Sequence, residues 1–167
     1  MTGPDNLLSQ ARAAELDALD PERATRRYAH VIRRIARDER IRRRTAERRF
    51  VEMLKFLDVC AHAESTVSPP ARVDGAWHCF ILFTRDYAEY CQKRFGRFIH
   101  HEPMESGDTH SYKRAYDEAS ERFGTLDRRI WRRPRDTWIP WIGACFSGGD
   151  SGGWGGCGGG GGCGGGV

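Results

Sequence analysis

Asp74 and His78 stand four residues apart in the run Val73-Asp74-Gly75-Ala76-Trp77-His78. Two further imidazoles, His100 and His101, follow in Phe95-Gly96-Arg97-Phe98-Ile99-His100-His101-Glu102-Pro103. On a helix the four-residue spacing sets a carboxylate and an imidazole one turn apart on one face. Imidazole and carboxylate are the donors that hold zinc and related divalent transition metals, so Asp74, His78, His100 and His101 are the candidate metal ligands. The same groups suit two other roles, a structural hydrogen-bonded pair and general acid–base chemistry near neutrality, and the sequence leaves all three open. Asp74 also belongs in the first turn of a helix, where a carboxylate is favoured, and Trp77 belongs in the core with its indole N–H on a partner. No recognised nucleophile, second carboxylate or phosphate-binding glycine loop accompanies the cluster. No catalytic residue is therefore assigned, and no cofactor beyond a divalent transition metal such as zinc.

These residues need elements to position them. The apolar spacing predicts a short helix over 6–19 and a second one from Pro21, with Tyr28, Val31, Ile32 and Ile35 on its inner face. A turn is expected near 39–44, with Thr45 capping a third helix that carries Phe50, Met53, Leu54 and Leu57 to about Ala61. Because no Gly or Pro enforces that turn, a single helix through 22–60 is the alternative. Ser68-Pro69-Pro70 opens a long central helix, about 71–95, along the stripe Trp77, Ile81, Thr84, Ala88, Cys91 and Phe95, and Gly96 closes it. Residues 97–103 read as extended chain. A last helix spans about 110–123, ending at Gly124, and 127–146, with Trp131, Trp138 and Trp141 among arginines and prolines, reads as irregular. No stretch sustains period-two alternation, so the fold class is all-α, a small bundle of about five helices.

Helix geometry then decides which histidine can reach His78. A straight helix carries the chain about 25 Å from His78 to Phe95, and the stretch from Phe95 to His101, fully extended, returns about 20 Å. The gap closes only if the chain doubles straight back at Gly96. Extended chain alternates its side chains, so His100 and His101 face opposite ways and His101, with the greater reach, is favoured. Cys91 lies about 20 Å along the helix from His78, and Cys79 points away from it.

Length and composition set the frame. The 167 residues suffice for one domain with an appended tail, and the last 21 residues, from Ser147, hold 14 of the 20 glycines. The expected organisation is a helical domain over 1–146 and a flexible Gly/Cys-rich tail over 147–167, which has almost nothing to bury. The net charge of +4 hides an asymmetry: residues 21–58 contain 12 Arg and one Lys against six acids. Such a segment permits nucleic-acid binding, although the interspersed acids favour a solvated helix face. The Arg/Trp mixture after residue 127 equally permits a membrane surface, with docking of the tryptophans onto the bundle as the simpler expectation. The N-terminal residues lack the apolar core of a signal peptide, and no run approaches the roughly 20 apolar residues of a membrane span. A soluble, cytoplasmic protein is the expectation, and in that setting six cysteines without a C-x-x-C pair require neither three disulfides nor a zinc knuckle.

The joined motifs V-D-x-x-W-H, an apolar helix with Thr84, Tyr87 and Cys91, F-G-R-F-I-H-H-x-P and a Gly-rich tail resemble the glycine-rich domain-containing proteins, particularly short bacterial members. The resemblance covers roughly residues 45–125. It implies a helical domain in which the positions of Asp74, Trp77, His78, His100 and His101 recur together, and it implies no established activity. The leading expectation is thus a small binding or scaffold module of unknown partner, a protein partner among the options. A metal-binding protein or metal-dependent enzyme using the Asp/His cluster, and a nucleic-acid binder using the Arg-rich helices, are the alternatives.

Overall fold

The computed structural model describes residues 20–102, 109–134 and 144–145. Within them the chain forms six helices: α1 Pro21–Arg27, α2 Ala29–Asp38, α3 Arg43–His62, α4 Ala71–Ile81, α5 Thr84–Phe95 and α6 Thr109–Phe123. Two short strands, β1 His101–Glu102 and β2 Ala144–Cys145, pair antiparallel with His101 opposite Cys145 and Glu102 opposite Ala144. The architecture is the expected all-α bundle. The helix expected over 6–19, the tail, Trp138 and Trp141 lie outside the described residues.

The 20-residue helix α3 is the hub against which α1, α2, α4 and α6 pack. Its inner face buries Ala46, Phe50, Met53, Leu54, Phe56, Leu57, Val59 and Cys60. On α2, Val31, Ile32 and Ile35 sit at helical spacing and are fully buried, so one apolar stripe faces the hub. Trp131, beyond α6, is buried against Phe56, Tyr112 and Tyr116, which docks this indole onto the bundle as expected. No helix among the described residues is long and apolar enough to cross a membrane.

Helix boundaries depart from the spacing in three places. The segment expected as one helix from Pro21 breaks at Tyr28, which ends α1 and opens α2 with φ −104° and ψ 30°. The Tyr28 ring there meets Phe50, Phe80 and Tyr90 at centroid separations of 5.6, 5.1 and 6.1 Å, and that aromatic packing holds the break. The turn before α3 does occur, through Arg40 at φ 52°, so 22–60 is not one helix. Thr45 does not cap α3, which starts two residues earlier from Arg42 without a side-chain cap.

The third departure matters most for the site: the long helix expected over 71–95 is two helices, broken at Leu82-Phe83. In a straight helix Trp77 and Tyr87 would lie about 15 Å apart along the axis. Instead the Trp77 indole N–H donates to the Tyr87 hydroxyl at 2.9 Å, and the Phe80 ring packs on Tyr87 at 5.2 Å. A buried indole N–H needs an acceptor, and folding α5 back against α4 supplies one.

Gly96 ends α5 in the left-handed region at φ 68°, its N–H donating to the Gln92 carbonyl at 3.0 Å. A Cβ there would meet nothing within 4 Å, so the cost of Gly96→Ala is conformational. Thermal or urea unfolding should show a loss of about 1–2 kcal/mol, with Gly96→Asn milder; an unchanged midpoint would mean that the turn is not held in this conformation.

Candidate functional site

Asp74 sits in the first turn of α4, where the helix start is set by Pro70 in extended conformation, and its side chain is four-fifths buried. His78, one turn on, stays half exposed and donates its Nδ1–H to the Asp74 backbone carbonyl at 2.9 Å. The same nitrogen lies 3.3 Å from Asp74 Oδ2. His101 arrives from the return strand, nearly buried, with Nε2 2.9 Å from Asp74 Oδ1. Each carboxylate oxygen of Asp74 thus faces an imidazole. The His78 and His101 rings approach to 4.3 Å between centroids, and one donor atom from each of Asp74, His78 and His101 falls within 4.8 Å of the others.

What holds His101 there acts two and four residues earlier. The Tyr87 hydroxyl, having accepted from Trp77, donates to the Ile99 carbonyl at 2.6 Å, and Arg97 donates to the Ala61 carbonyl at the end of α3 at 2.7 Å. The Trp77 ring packs edge-on against His101 at 4.4 Å, forming the floor of the site. Burial pushes the Tyr87 phenol far above its ordinary pKa, so it remains a neutral donor and acceptor throughout the physiological range. Tyr87→Phe removes both hydrogen bonds and leaves a buried N–H and a buried carbonyl. Chemical denaturation should report a loss of about 1–3 kcal/mol, and an effect below a few tenths would show that water replaces the hydroxyl.

The other sequence candidates separate cleanly. The chain doubles back at Gly96 as the reach argument required, although the break at Leu82-Phe83 shortens the distance it must cover. His100 faces away, exposed, with its ring against Phe98 at 4.9 Å, and is not part of the cluster. Cys79 and Cys91 are buried free thiols outside it, and burial raises the pKa of both. Many arginines of α1–α3 are paired with carboxylates: Arg26 with Glu22, Arg27 with Glu89, Arg34 and Arg37 with Asp38, Arg43 with Glu47, Arg48 with Asp127 and the largely buried Arg49 with Glu39.

Sequence reasoning missed a second polar centre. Asp58, on the buried face of α3, accepts from Arg94 of α5 at 2.5 Å and from Arg122 of α6 at 3.1 Å, and is 3% exposed. The signal was a carboxylate following Leu57 in an otherwise apolar stripe. Its saturation by two guanidinium groups makes it a structural clamp rather than a ligand.

A family model described as UCP032817-like matches residues 22–130, a span that holds α2–α6, all of α1 but its first residue, and both halves of the Asp/His cluster. No curated protein and no solved structure matches the chain significantly.

Proposed function

We propose that this chain, which belongs to the UCP032817-like family, is a metal-binding helical module in which Asp74, His78 and His101 hold one divalent transition-metal ion such as zinc. The observation that carries this reading is the convergence of three donors from two separate chain segments within 4.8 Å. Ligands at about 2.0–2.1 Å from a tetrahedral ion lie roughly 3.4 Å apart, between the 2.9 Å that separates His101 Nε2 from Asp74 Oδ1 and the 4.8 Å that bounds the three donors. His78 spends one N–H on a backbone carbonyl, the outer contact by which proteins fix the ring of a ligating histidine.

Two histidines and one carboxylate make an incomplete coordination shell, and His78 borders solvent, so a bound ion keeps at least one position for water or a partner's donor. A structural pair would need only two of these groups. The matched arginines offer little free positive surface, and no observation favours nucleic acid over the metal reading. The finer resemblance, to glycine-rich domain-containing proteins, rests on V-D-x-x-W-H and F-G-R-F-I-H-H-x-P; the matched family span ends before the glycine tail.

Calorimetric titration of zinc into untagged, chelator-stripped protein tests the reading. One site per chain in the parent and none in His78→Ala is expected. Equal binding by both proteins would place the metal elsewhere.

A further inference from the structure

A cavity of about 660 Å³, the size of a small-molecule site, is lined by α1, α3 and Asp127 and shares no residue with the Asp/His cluster. Its lining carries four carboxylates, Glu22, Glu47, Glu52 and Asp127, and two guanidinium groups, Arg44 and Arg48. Glu47 is held by Arg43 at 2.9 Å, Asp127 by Arg48 at 3.5 Å, and Glu22 by Arg26 at 3.8 Å. Two groups stand apart from this pairing, one of each sign.

Glu52 is the acid. Its side chain is 7% exposed, and it is the one buried residue of the lining. Its Oε1 accepts from Lys55 Nζ at 2.9 Å, whereas Oε2 is buried with no hydrogen-bond partner among the described residues. A buried carboxylate oxygen left unmet is costly, and a donor entering the cavity that the same side chain lines would meet it. Torsion about the last glutamate bond is soft, so the oxygen turns to such a donor at little cost. The base is Arg44, exposed and without an ion pair among the described residues. Eight residues of α3 separate it from Glu52, which sets the two about 12 Å apart along the helix.

We propose that this cavity binds a free diamino acid of the length of lysine. The side-chain ammonium donates to Glu52 Oε2 at the inner end, the methylenes lie along Val51, and the α-carboxylate accepts from Arg44. An extended lysine with a hydrogen bond at each end fits the span between the two residues. The α-ammonium falls near Glu47, three residues from Arg44 and on the same face of α3. A ligand with two cationic groups and one anionic group suits a lining in which carboxylates outnumber guanidinium groups.

Calorimetric titration of lysine into the full chain tests this, with norleucine, which lacks the side-chain ammonium, and cadaverine, which lacks the carboxylate, as comparison probes. Lysine should bind at one site per chain, norleucine should not bind, and cadaverine should bind at least about tenfold more weakly than lysine. Glu52→Gln should weaken lysine binding at least about tenfold. Arg44→Gln, a change at an exposed residue, should lower the affinity for lysine to that for cadaverine and leave cadaverine binding unchanged, with circular dichroism confirming that both variants are folded. His78→Ala should bind lysine as the parent does, which keeps this site separate from the metal reading. No binding of lysine, equal binding of lysine and norleucine, or parental lysine affinity in Arg44→Gln would overturn the proposal.

Discussion

His101→Ala is expected to lower zinc affinity by at least about a hundredfold, because even groups that merely orient a ligand cost 10–100-fold when removed. His101 is the donor that makes the site tertiary. Asp74 and His78 share a helix and would lie near each other in any fold containing α4, whereas His101 reaches them only through the turn at Gly96, the Tyr87–Ile99 hydrogen bond and the strand pairing. His100→Ala is the matched control, one residue away, exposed and outside the cluster. Its affinity should equal that of the parent in competition with a chromogenic chelator. Equal losses for the two variants would mean that the adjacent histidines bind metal as an exposed pair and that Asp74 is not involved.

Asp58→Ala should be the most destabilising change in the bundle, by about 3–5 kcal/mol in urea unfolding, since it strands a buried cation. Arg94 is nine-tenths buried and already has one guanidinium nitrogen without a partner, so losing the carboxylate leaves its charge uncompensated. The clamp joins α3 to α5 and α6, and α5 leads into the turn that sends His101 to the site. Asp58→Asn, which keeps an acceptor but not the charge, should fall between parent and alanine variant. A loss below about 1 kcal/mol for Asp58→Ala would show that water or a neighbouring acid takes over the arginines.

How much of this could be read from the sequence follows a physical division. Asp74 and His78 were legible because a four-residue spacing fixes a helical face whatever surrounds it, and the doubling back at Gly96 was legible because glycine alone enters the left-handed region without strain. His101 over His100 followed from reach, once the alternation of extended chain had set the two on opposite sides. The break between α4 and α5 was not legible: Ile81-Leu82-Phe83-Thr84 contains neither Gly nor Pro, and the hydrophobic stripe runs through it in phase. It exists because the Trp77 indole finds the Tyr87 hydroxyl, a contact ten residues away that periodicity cannot see. Tyr28 breaks its helix for the same kind of reason, a ring held by three aromatic neighbours from α3, α4 and α5. Asp58 was passed over because its neighbours on α3 are apolar, and only the arrival of Arg94 and Arg122 from distant segments turns a misplaced acid into a clamp. The register of Cys145 against His101 likewise belongs to tertiary structure, since two-residue strands carry no alternation to recognise.

The central claim is that one metal ion is held jointly by α4 and by the strand that returns from α5. Crystals of the untagged protein grown with stoichiometric zinc and measured at the zinc absorption edge test it most directly. The expected result is one anomalous peak per chain about 2 Å from a donor atom of each of Asp74, His78 and His101. Data showing those three side chains ordered with no peak between them, or a peak only at other residues, would contradict it.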